Sequence, residues 1–398
     1  MTWRPKPRPP PEQRVTKAAK QRAGGAQRGR HASPAYLNAH HTASRRFGDP
    51  CFLRILRRVT PALEELHADL GELHDTPFSV HFREHDSACL ELAEALPMLR
   101  REPPWGPLRP RSVHVRLRGD GLLAQADAAR ALAATLRLAG AVEELKVVLM
   151  RDAQSSRPVL DGDALSALCD AVIFCGTRRL CLVCGLRADA APALCELLHK
   201  SSVDDLSFFY SSLFLDEATV APVAEVLRDN TRIKALTLCD VNLWGDPAAG
   251  AAIFAALAGH PSIERLSLRS NPAPEELGQE VGEAFAALVA ANSPALTHLD
   301  VSGSQLVPAE LLPLLAALRS NTHLRDLNMT LHGLSELSDD VELAEQELFP
   351  AVEANASLRR LEFAWDDRYG IRTRVDALLA ARRAADAEAQ QAQERARA

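Results

Sequence analysis

Pairs of apolar residues, two positions apart, recur along the chain and alternate with segments of helical spacing. Because side chains alternate along a strand, each pair predicts a short strand with one buried face. Seven intervals between Leu145 and Leu361 give a mean period of about 31 residues, which is typical of a solenoid with one strand and one helix per repeat. The pairs are Val80/Phe82, Val113/Val115, Leu145/Val147, Leu180/Leu182, Leu206/Phe208, Leu236/Leu238, Leu266/Leu268, Leu299/Val301, Leu327/Met329 and Leu361/Phe363.

The segments between these pairs predict the helices, and the unit at 262–291 is the most regular of about eight to ten. Asp216 and Asp246 stand where N-caps belong, and Pro308 stands at a first helical position. The predicted helices lie near residues 123–138, 164–174, 190–199, 218–227, 248–257, 278–289, 309–318 and 341–352.

Four regions follow from this pattern. Residues 76–370 are predicted to form the repeat region. Residues 51–75 predict a helical N-terminal cap, from the helical spacing of Phe52, Ile55, Leu56, Val59, Leu63, Leu66 and Leu70. Residues 371–398 predict a C-terminal capping helix followed by a solvated tail. Residues 1–50 predict a disordered, basic arm rich in proline and arginine.

The arm carries a charge opposite to that of the remaining chain. Residues 1–47 hold eleven Lys or Arg and one acid, Glu12, so they contribute about +10 to a net charge of −6. Binding of nucleic acid or anionic lipid, organelle targeting, export, and a solvated tail without a specific role all stay open. A nucleic-acid partner would depend on residues 1–47 alone.

The repeats resemble the ribonuclease-inhibitor type of leucine-rich repeat. The resemblance is carried by Leu236-Thr-Leu-Cys-Asp-Val-Asn-Leu-Trp-Gly-Asp, Leu266-Ser-Leu-Arg-Ser-Asn and Leu299-Asp-Val-Ser-Gly-Ser-Gln-Leu, and it covers roughly residues 110–365. It implies an α/β horseshoe with a parallel, concave sheet and outer helices. The alanine-rich helices also resemble those of bacterial and plant-pathogen effectors. Only Asn271 matches the family's turn asparagine; the equivalent residues elsewhere are Ser211, Val241, Ser304, His332 and Asp366.

Residues that flank the buried positions of each strand are predicted to form three rows on the exposed face. The first row is Glu144, Arg179, Asp205, Ala235, Arg265, His298, Asp326 and Arg360. The second is Lys146, Cys181, Ser207, Thr237, Ser267, Asp300, Asn328 and Glu362. The third is Val148, Val183, Phe209, Cys239, Arg269, Ser302, Thr330 and Ala364.

These rows supply the candidate partner-binding residues, since exposed apolar, aromatic and arginine side chains favour interaction sites. Two alternatives stay open. The charges of the first row could neutralise each other as cross-strand pairs, in the sets Glu144–Arg179–Asp205 and His298–Asp326–Arg360. The apolar strip from Val148 to Cys239 could be covered by the N-terminal segment or by a second copy. The candidates are Arg179, Asp205, Phe209, Tyr210, Arg265, Arg269, His298, Asp300, Asp326, Arg360 and Glu362. Trp244 and Trp365 are predicted to pack at the rim.

Neither a cofactor nor a metal is expected. Cys181 and Cys184 lie three apart on a predicted strand and face opposite sides, and they lack a second cysteine pair. The eight scattered cysteines favour reduced, mostly buried thiols and therefore a cytoplasmic protein. No apolar run of membrane-spanning length and no Sec-type signal peptide is found.

The sequence therefore predicts a non-enzymatic scaffold that binds a protein partner on the concave face. The alternative is a secreted effector or regulator of a cellular enzyme, of the ubiquitin-ligase-adaptor or GTPase-regulator type, delivered by its basic arm. The GTPase variant would place an exposed residue such as Arg179 or Asn271 at the nucleotide.

Overall fold

A computed structural model describes most of the repeat region of the chain. It covers residues 63–68, 77–82, 112–118, 141–150, 159–210, 217–330, 344–363 and 370–397, together with six helical residues between 129 and 137. All of these belong to one compact unit, Arg54–Ala398. The arm lies outside the described residues. So do six residues of the repeat region, namely Ser211, Asp216, His332, Ala364, Trp365 and Asp366.

Eleven strands form one sheet in which strand neighbours follow chain order. β1 pairs antiparallel with β2, and each later pair in this sheet is parallel. Its strands are β1 Leu63–Ala68, β2 Pro77–Phe82, β3 Ser112–Arg118, β4 Glu144–Met150, β6 Arg179–Val183, β8 Asp205–Phe209, β9 Ala235–Cys239, β10 Arg265–Ser267, β11 His298–Asp300, β12 Asp326–Asn328 and β13 Arg360–Glu362. Two short strands, β5 Val159–Leu160 and β7 Gly185–Leu186, form a separate ladder.

Helices alternate with the eight parallel strands from β4 to β13, so the predicted α/β class is confirmed at this level. The helices are α1 Gly162–Cys175, α2 Ala191–Lys200, α3 Glu217–Asp229, α4 Pro247–Leu257, α5 Gly278–Ala290, α6 Pro308–Ser320, α7 Phe349–Ala354 and α8 Ile371–Arg397. Two 3₁₀ turns, Ala188–Ala190 and Glu275–Leu277, and a π turn, Ala344–Leu348, lead into helices. Asp246 caps α4 through its side chain, and Pro308 begins α6, as predicted.

The predicted N-terminal helical cap is wrong over residues 63–68. Leu63 and Leu66 have helical spacing, but the segment is strand β1, in antiparallel register with β2 and with an irregularity between Leu63 and Glu65. Antiparallel pairing with β2, which begins at Pro77, overrides the helical spacing of these leucines. At the other end, Ile371, Val375 and Leu379 of α8 are buried, whereas every residue from Arg383 to Arg397 is exposed.

The apolar pairs form the core between sheet and helices. Its largest fully buried side chain is Phe285 on α5, whose ring centroid lies 5.3 Å from that of Phe254 on α4. Trp244 stacks on Phe254 at 5.0 Å and meets the Phe285 ring edge-on at 6.1 Å. Trp244 is only 5% exposed, so it is a core residue rather than a rim residue. Its indole N–H has no hydrogen-bond partner within the described residues.

Residues with a left-handed backbone conformation follow the strands and continue the hydrogen bonding between neighbouring repeats. Tyr210, Asp240, Ser270 and Gly303 follow the third-row position in four successive repeats, with φ of 59°, 51°, 57° and 72°. Each donates its backbone N–H to the third-row carbonyl of the next repeat, over 2.7–3.3 Å. A left-handed backbone conformation costs free energy for a residue other than glycine. Its recurrence at the same position therefore indicates that each of these repeats forms the same turn.

Asn271 fills the predicted role of the turn asparagine. Its Oδ1 accepts the N–H of Val241 at 3.0 Å, and its Nδ2 donates to the carbonyl oxygens of Leu238 and Leu268, both at 2.8 Å. At 1% exposure it is not available to a ligand, so the suggestion that Asn271 could meet a nucleotide is wrong. Ser304, at the equivalent place, is also buried and donates to the Val301 carbonyl at 2.7 Å.

A second row of buried polar residues, which the sequence analysis missed, lies at the turns that lead from helix to strand. In Asn230, Asn321 and Asn355, the amide donates to a carbonyl of the preceding repeat, and Oδ1 accepts the N–H groups two and three residues on. His260 and Ser293 take the same place and also bond backwards, to Leu227 and His260. The sequence signal that identifies this row is a polar residue three positions before the first apolar core residue of the next strand, as in Asn230-Thr-Arg-Ile.

His260 makes the stability of this row sensitive to acid. Its Nε2 lies 2.9 Å from the Leu227 carbonyl, and its Nδ1 accepts the N–H groups of Ser262 and Ile263 at 3.3 Å. Burial lowers the pKa of His260 below its ordinary 6.5. In the window between the lowered pKa and 6.5, the unfolded chain binds more protons, so stability is lost as the pH falls through that window.

His260→Asn is the matched variant, because asparagine fills this place in three other repeats and does not titrate. We expect the wild type to lose stability relative to His260→Asn by up to about 1.4 kcal/mol per pH unit below pH 6.5. Urea unfolding at pH 7.5, 6.5, 5.5 and 5.0 measures the difference. Parallel stability curves for the two proteins would contradict it.

Candidate binding face of the sheet

The strand registers reproduce the first two predicted rows. From β4 to β13, each first-row residue is the Cα partner of the next, and each second-row residue likewise. The third row is paired from Val148 to Cys239. The exposed face of the parallel sheet is therefore a grid of side chains spaced by the distance between strands, about 4.8 Å.

A groove of about 440 Å³ lies on this face between β8 and β13. Small and polar side chains of the first and second rows form part of its lining, namely Ala235, Thr237, Ser267 and Asn328. Seven of the eleven candidate residues also line it: Asp205, Arg265, His298, Asp300, Asp326, Arg360 and Glu362. The other four, Arg179, Phe209, Tyr210 and Arg269, are not part of its lining.

The predicted charge neutralisation is present only in part. Arg179 pairs with Glu144 at 3.0 Å, and His298 Nε2 lies 2.6 Å from Asp326 Oδ2. Arg360 pairs instead with Glu362 on its own strand. Within the described residues, neither Arg179 with Asp205 nor Asp326 with Arg360 forms an ion pair, so neither predicted set of three is complete.

Asp205 and Arg265 are the two first-row charges left over from this pairing. Among the described residues, neither side chain makes a hydrogen bond or an ion pair, although the two influence each other through space. They lie on β8 and β10, on either side of Ala235, which is their Cα partner on β9. Ala235 is only 6% exposed, so neighbouring groups cover it.

Burial raises the pKa of the Asp205 carboxyl above its ordinary 3.8. The positive charge of Arg265 opposes this shift, while the neighbouring Asp204 adds to it. A carboxylate whose folded pKa is raised disfavours the folded state once it ionises, so this residue lowers stability as the pH rises from 3.8 through its folded pKa. At neutral pH, Asp205 is a half-buried charge that Arg265 and Arg179 compensate only in part.

The second row is held in place by short-range hydrogen bonds. Asp300 accepts from the Ser267 hydroxyl at 3.3 Å and from the backbone N–H of Ser302 at 3.0 Å. Asn328 accepts the N–H of Thr330 at 3.0 Å in the same manner. These hydrogen bonds from the backbone N–H two residues on form Asx turns, which fix the rotamers of Asp300 and Asn328. The groove therefore has partly preorganised polar groups beside its two unpaired charges.

The apolar strip predicted for the third row is less exposed than expected. Cys239 is only 7% exposed, and Phe209 is half-buried with the Arg269 guanidinium 5.8 Å from its ring centroid. The Cys239 thiol also raises the pKa of Arg269, so this guanidinium lies close to both side chains at one end of the strip. Tyr210, by contrast, is 48% exposed.

The cysteines of the described residues are free thiols, at positions 169, 175, 181, 184, 195 and 239. Burial raises the pKa of Cys184 to about 12 and also raises that of Cys181. Both therefore stay protonated at neutral pH and are weak nucleophiles. In the part of the chain that the structure describes, no group of three or more His, Cys, Asp or Glu side chains is placed to hold a metal.

The fold and the site together define an α/β protein whose parallel sheet of eight strands alternates with helices and exposes a polar groove. No protein-family model matches the chain. No curated protein matches it either. Across the described helices, none has the length and apolar character required to cross a membrane.

Proposed function

We propose that this chain is a leucine-rich-repeat solenoid of the ribonuclease-inhibitor-like type that acts as a non-enzymatic scaffold. It binds a protein partner on the concave face of its sheet. The recurring left-handed turn, the buried Asn271 and the one-helix-per-strand order support the repeat class. The alternative sequence-based hypotheses, an effector or an enzyme regulator, depend on the basic arm, which lies outside the described residues.

The groove is the observation that carries the proposal. It runs from β8 to β13, five strand spacings or about 24 Å, and is lined by side chains of six successive strands. A small-molecule pocket encloses most of its ligand, whereas this groove extends along the sheet across six strands. A row of charged and hydroxyl side chains of that length suits a protein surface or an extended segment.

Filling the groove with a bulky side chain tests this proposal without altering its charge. Thr237 lies half-buried in the second row on β9, and tryptophan is well accepted in strands, so Thr237→Trp should fold and obstruct the groove. The full chain carrying this change should recover at least tenfold less of the partner protein than the wild type. Affinity capture followed by quantitative mass spectrometry measures the recovery.

Ala255→Trp is the matched control, since Ala255 lies exposed on α4 in the same repeat. It should leave the recovery of the same proteins unchanged. Equal recovery by the wild type and by a folded Thr237→Trp variant would overturn binding at this face.

A further inference from the structure

The ionisable groups that line the groove differ in how far the protein satisfies them. His298 is paired with Asp326, and Arg360 with Glu362. Asp300 accepts two hydrogen bonds from neighbouring serines. Asp205 and Arg265 alone among these groups have neither a hydrogen bond nor an ion pair within the described residues.

Leaving Asp205 unpaired is costly for the free protein, whereas Arg265 is exposed to solvent. The Asp205 carboxylate is half-buried, and no donor replaces the water that burial removes from it. A ligand cation placed against it would restore that interaction, and a ligand carboxylate would do the same for Arg265 through a bidentate contact. Ala235, which lies between them on β9, is buried and also lines the groove.

We propose that the groove recognises a partner segment that carries one basic and one acidic side chain, placing the basic one on Asp205 and the acidic one on Arg265. This inference rests on the proposed function and names the chemistry of its partner. Asp205 and Arg265 are two strand spacings apart, about 10 Å. An extended segment presents same-side residues at intervals of about 6.6 Å, so flexible side chains two or four residues apart span that distance.

Selection from a randomised peptide library on the immobilised full chain tests the proposal. The wild type should enrich peptides with one basic and one acidic residue two or four positions apart. Asp205→Arg places two cations in the groove and should shift the selection toward two acidic residues. Arg265→Glu should shift it toward two basic residues. Sequencing of the retained pools measures each shift.

The swapped pair Arg319→Glu with Glu347→Arg is the matched control. These two residues form an exposed ion pair with each other and do not line the groove. The control should select the same peptides as the wild type. Thr237→Trp serves as the second reference and should abolish enrichment altogether.

The pattern of results separates this inference from the proposed function. If Thr237→Trp abolishes enrichment while Asp205→Arg and Arg265→Glu select the same peptides as the wild type, the groove binds peptides but these two charges do not determine which, and the inference is wrong. If Thr237→Trp leaves enrichment unchanged, or the wild type enriches nothing, both fall.

Asp205→Asn supplies an independent readout. Removing this partly compensated charge should raise the urea midpoint of the free protein at pH 7, because the ionised carboxyl disfavours the folded state. The same change should weaken an enriched peptide about tenfold, the cost of one charge-assisted hydrogen bond. A variant that loses stability, or that binds the peptide as well as the wild type, would count against a recognition role for Asp205.

Discussion

Phe285→Ala should lower the free energy of unfolding by about 3–5 kcal/mol, the largest effect that we expect of a single apolar substitution in the described core. The ring is fully buried on α5 and contacts the aromatic rings of Phe254 and Trp244. Both partners come from the preceding repeat, so the ring joins two repeats rather than filling one. Since nearest-neighbour contacts carry much of the stability of a solenoid, the cavity should weaken the coupling between repeats as well.

Phe285→Leu is the control for this experiment. It keeps an apolar side chain of comparable size and should cost less than about 1.5 kcal/mol. Urea unfolding followed by circular dichroism measures both variants, with hydrogen exchange to locate the loosened amides in α4 and α5. If the alanine and leucine variants lose equal stability, Phe285 does not hold the repeats together in the way described.

Asn271→Ala should cost about 3 kcal/mol, because it leaves several buried backbone groups without partners at once. The amide side chain serves the N–H of Val241 and the carbonyl oxygens of Leu238 and Leu268, and it is itself 1% exposed. Alanine has no polar atom to replace these hydrogen bonds, so the desolvation cost of the buried backbone groups is no longer offset. Urea unfolding measures the loss.

Asn242→Gly offers a matched comparison within the turn that Asn271 supports. Asn242 is exposed, has φ of 54° and makes no side-chain hydrogen bond within the described residues. Glycine accepts the same backbone conformation, so this variant should lose only a few tenths of a kcal/mol. A loss for Asn271→Ala as small as that for Asn242→Gly would show that the buried bonds contribute little.

The strands and their register could be predicted because each depends on a local pattern repeated in the same phase. Leu236/Leu238 and Leu266/Leu268 point toward one core, and parallel strands one repeat apart must then align residue by residue. The sequence pattern alone therefore places Arg265 beside His298 and Asp326 beside Arg360. The strand at Leu63–Ala68 could not be predicted in this way, because its pairing is antiparallel, outside the repeat, and its leucines have helical spacing.

The pairing of charges could not be predicted, since register fixes which residues are neighbours but not which rotamers meet. Arg360 pairs with Glu362 on its own strand rather than with Asp326, and Arg179 pairs with Glu144 rather than with Asp205. Burial on the exposed face was also hidden in the sequence. Cys239 is only 7% exposed and lies close to the Arg269 guanidinium. The alternation of side chains along a strand does not predict burial by a side chain of the neighbouring strand.

The polar row at the helix-to-strand turns gives the repeat array a direction. Asn230, His260, Asn321 and Asn355 each bond to a carbonyl about thirty residues earlier in the chain. During synthesis on the ribosome, the acceptor for each of these side chains therefore emerges before the side chain itself. Each new repeat can close at once on its predecessor, so growth from the amino-terminal side exposes one unfinished end at a time and limits contacts between nascent chains.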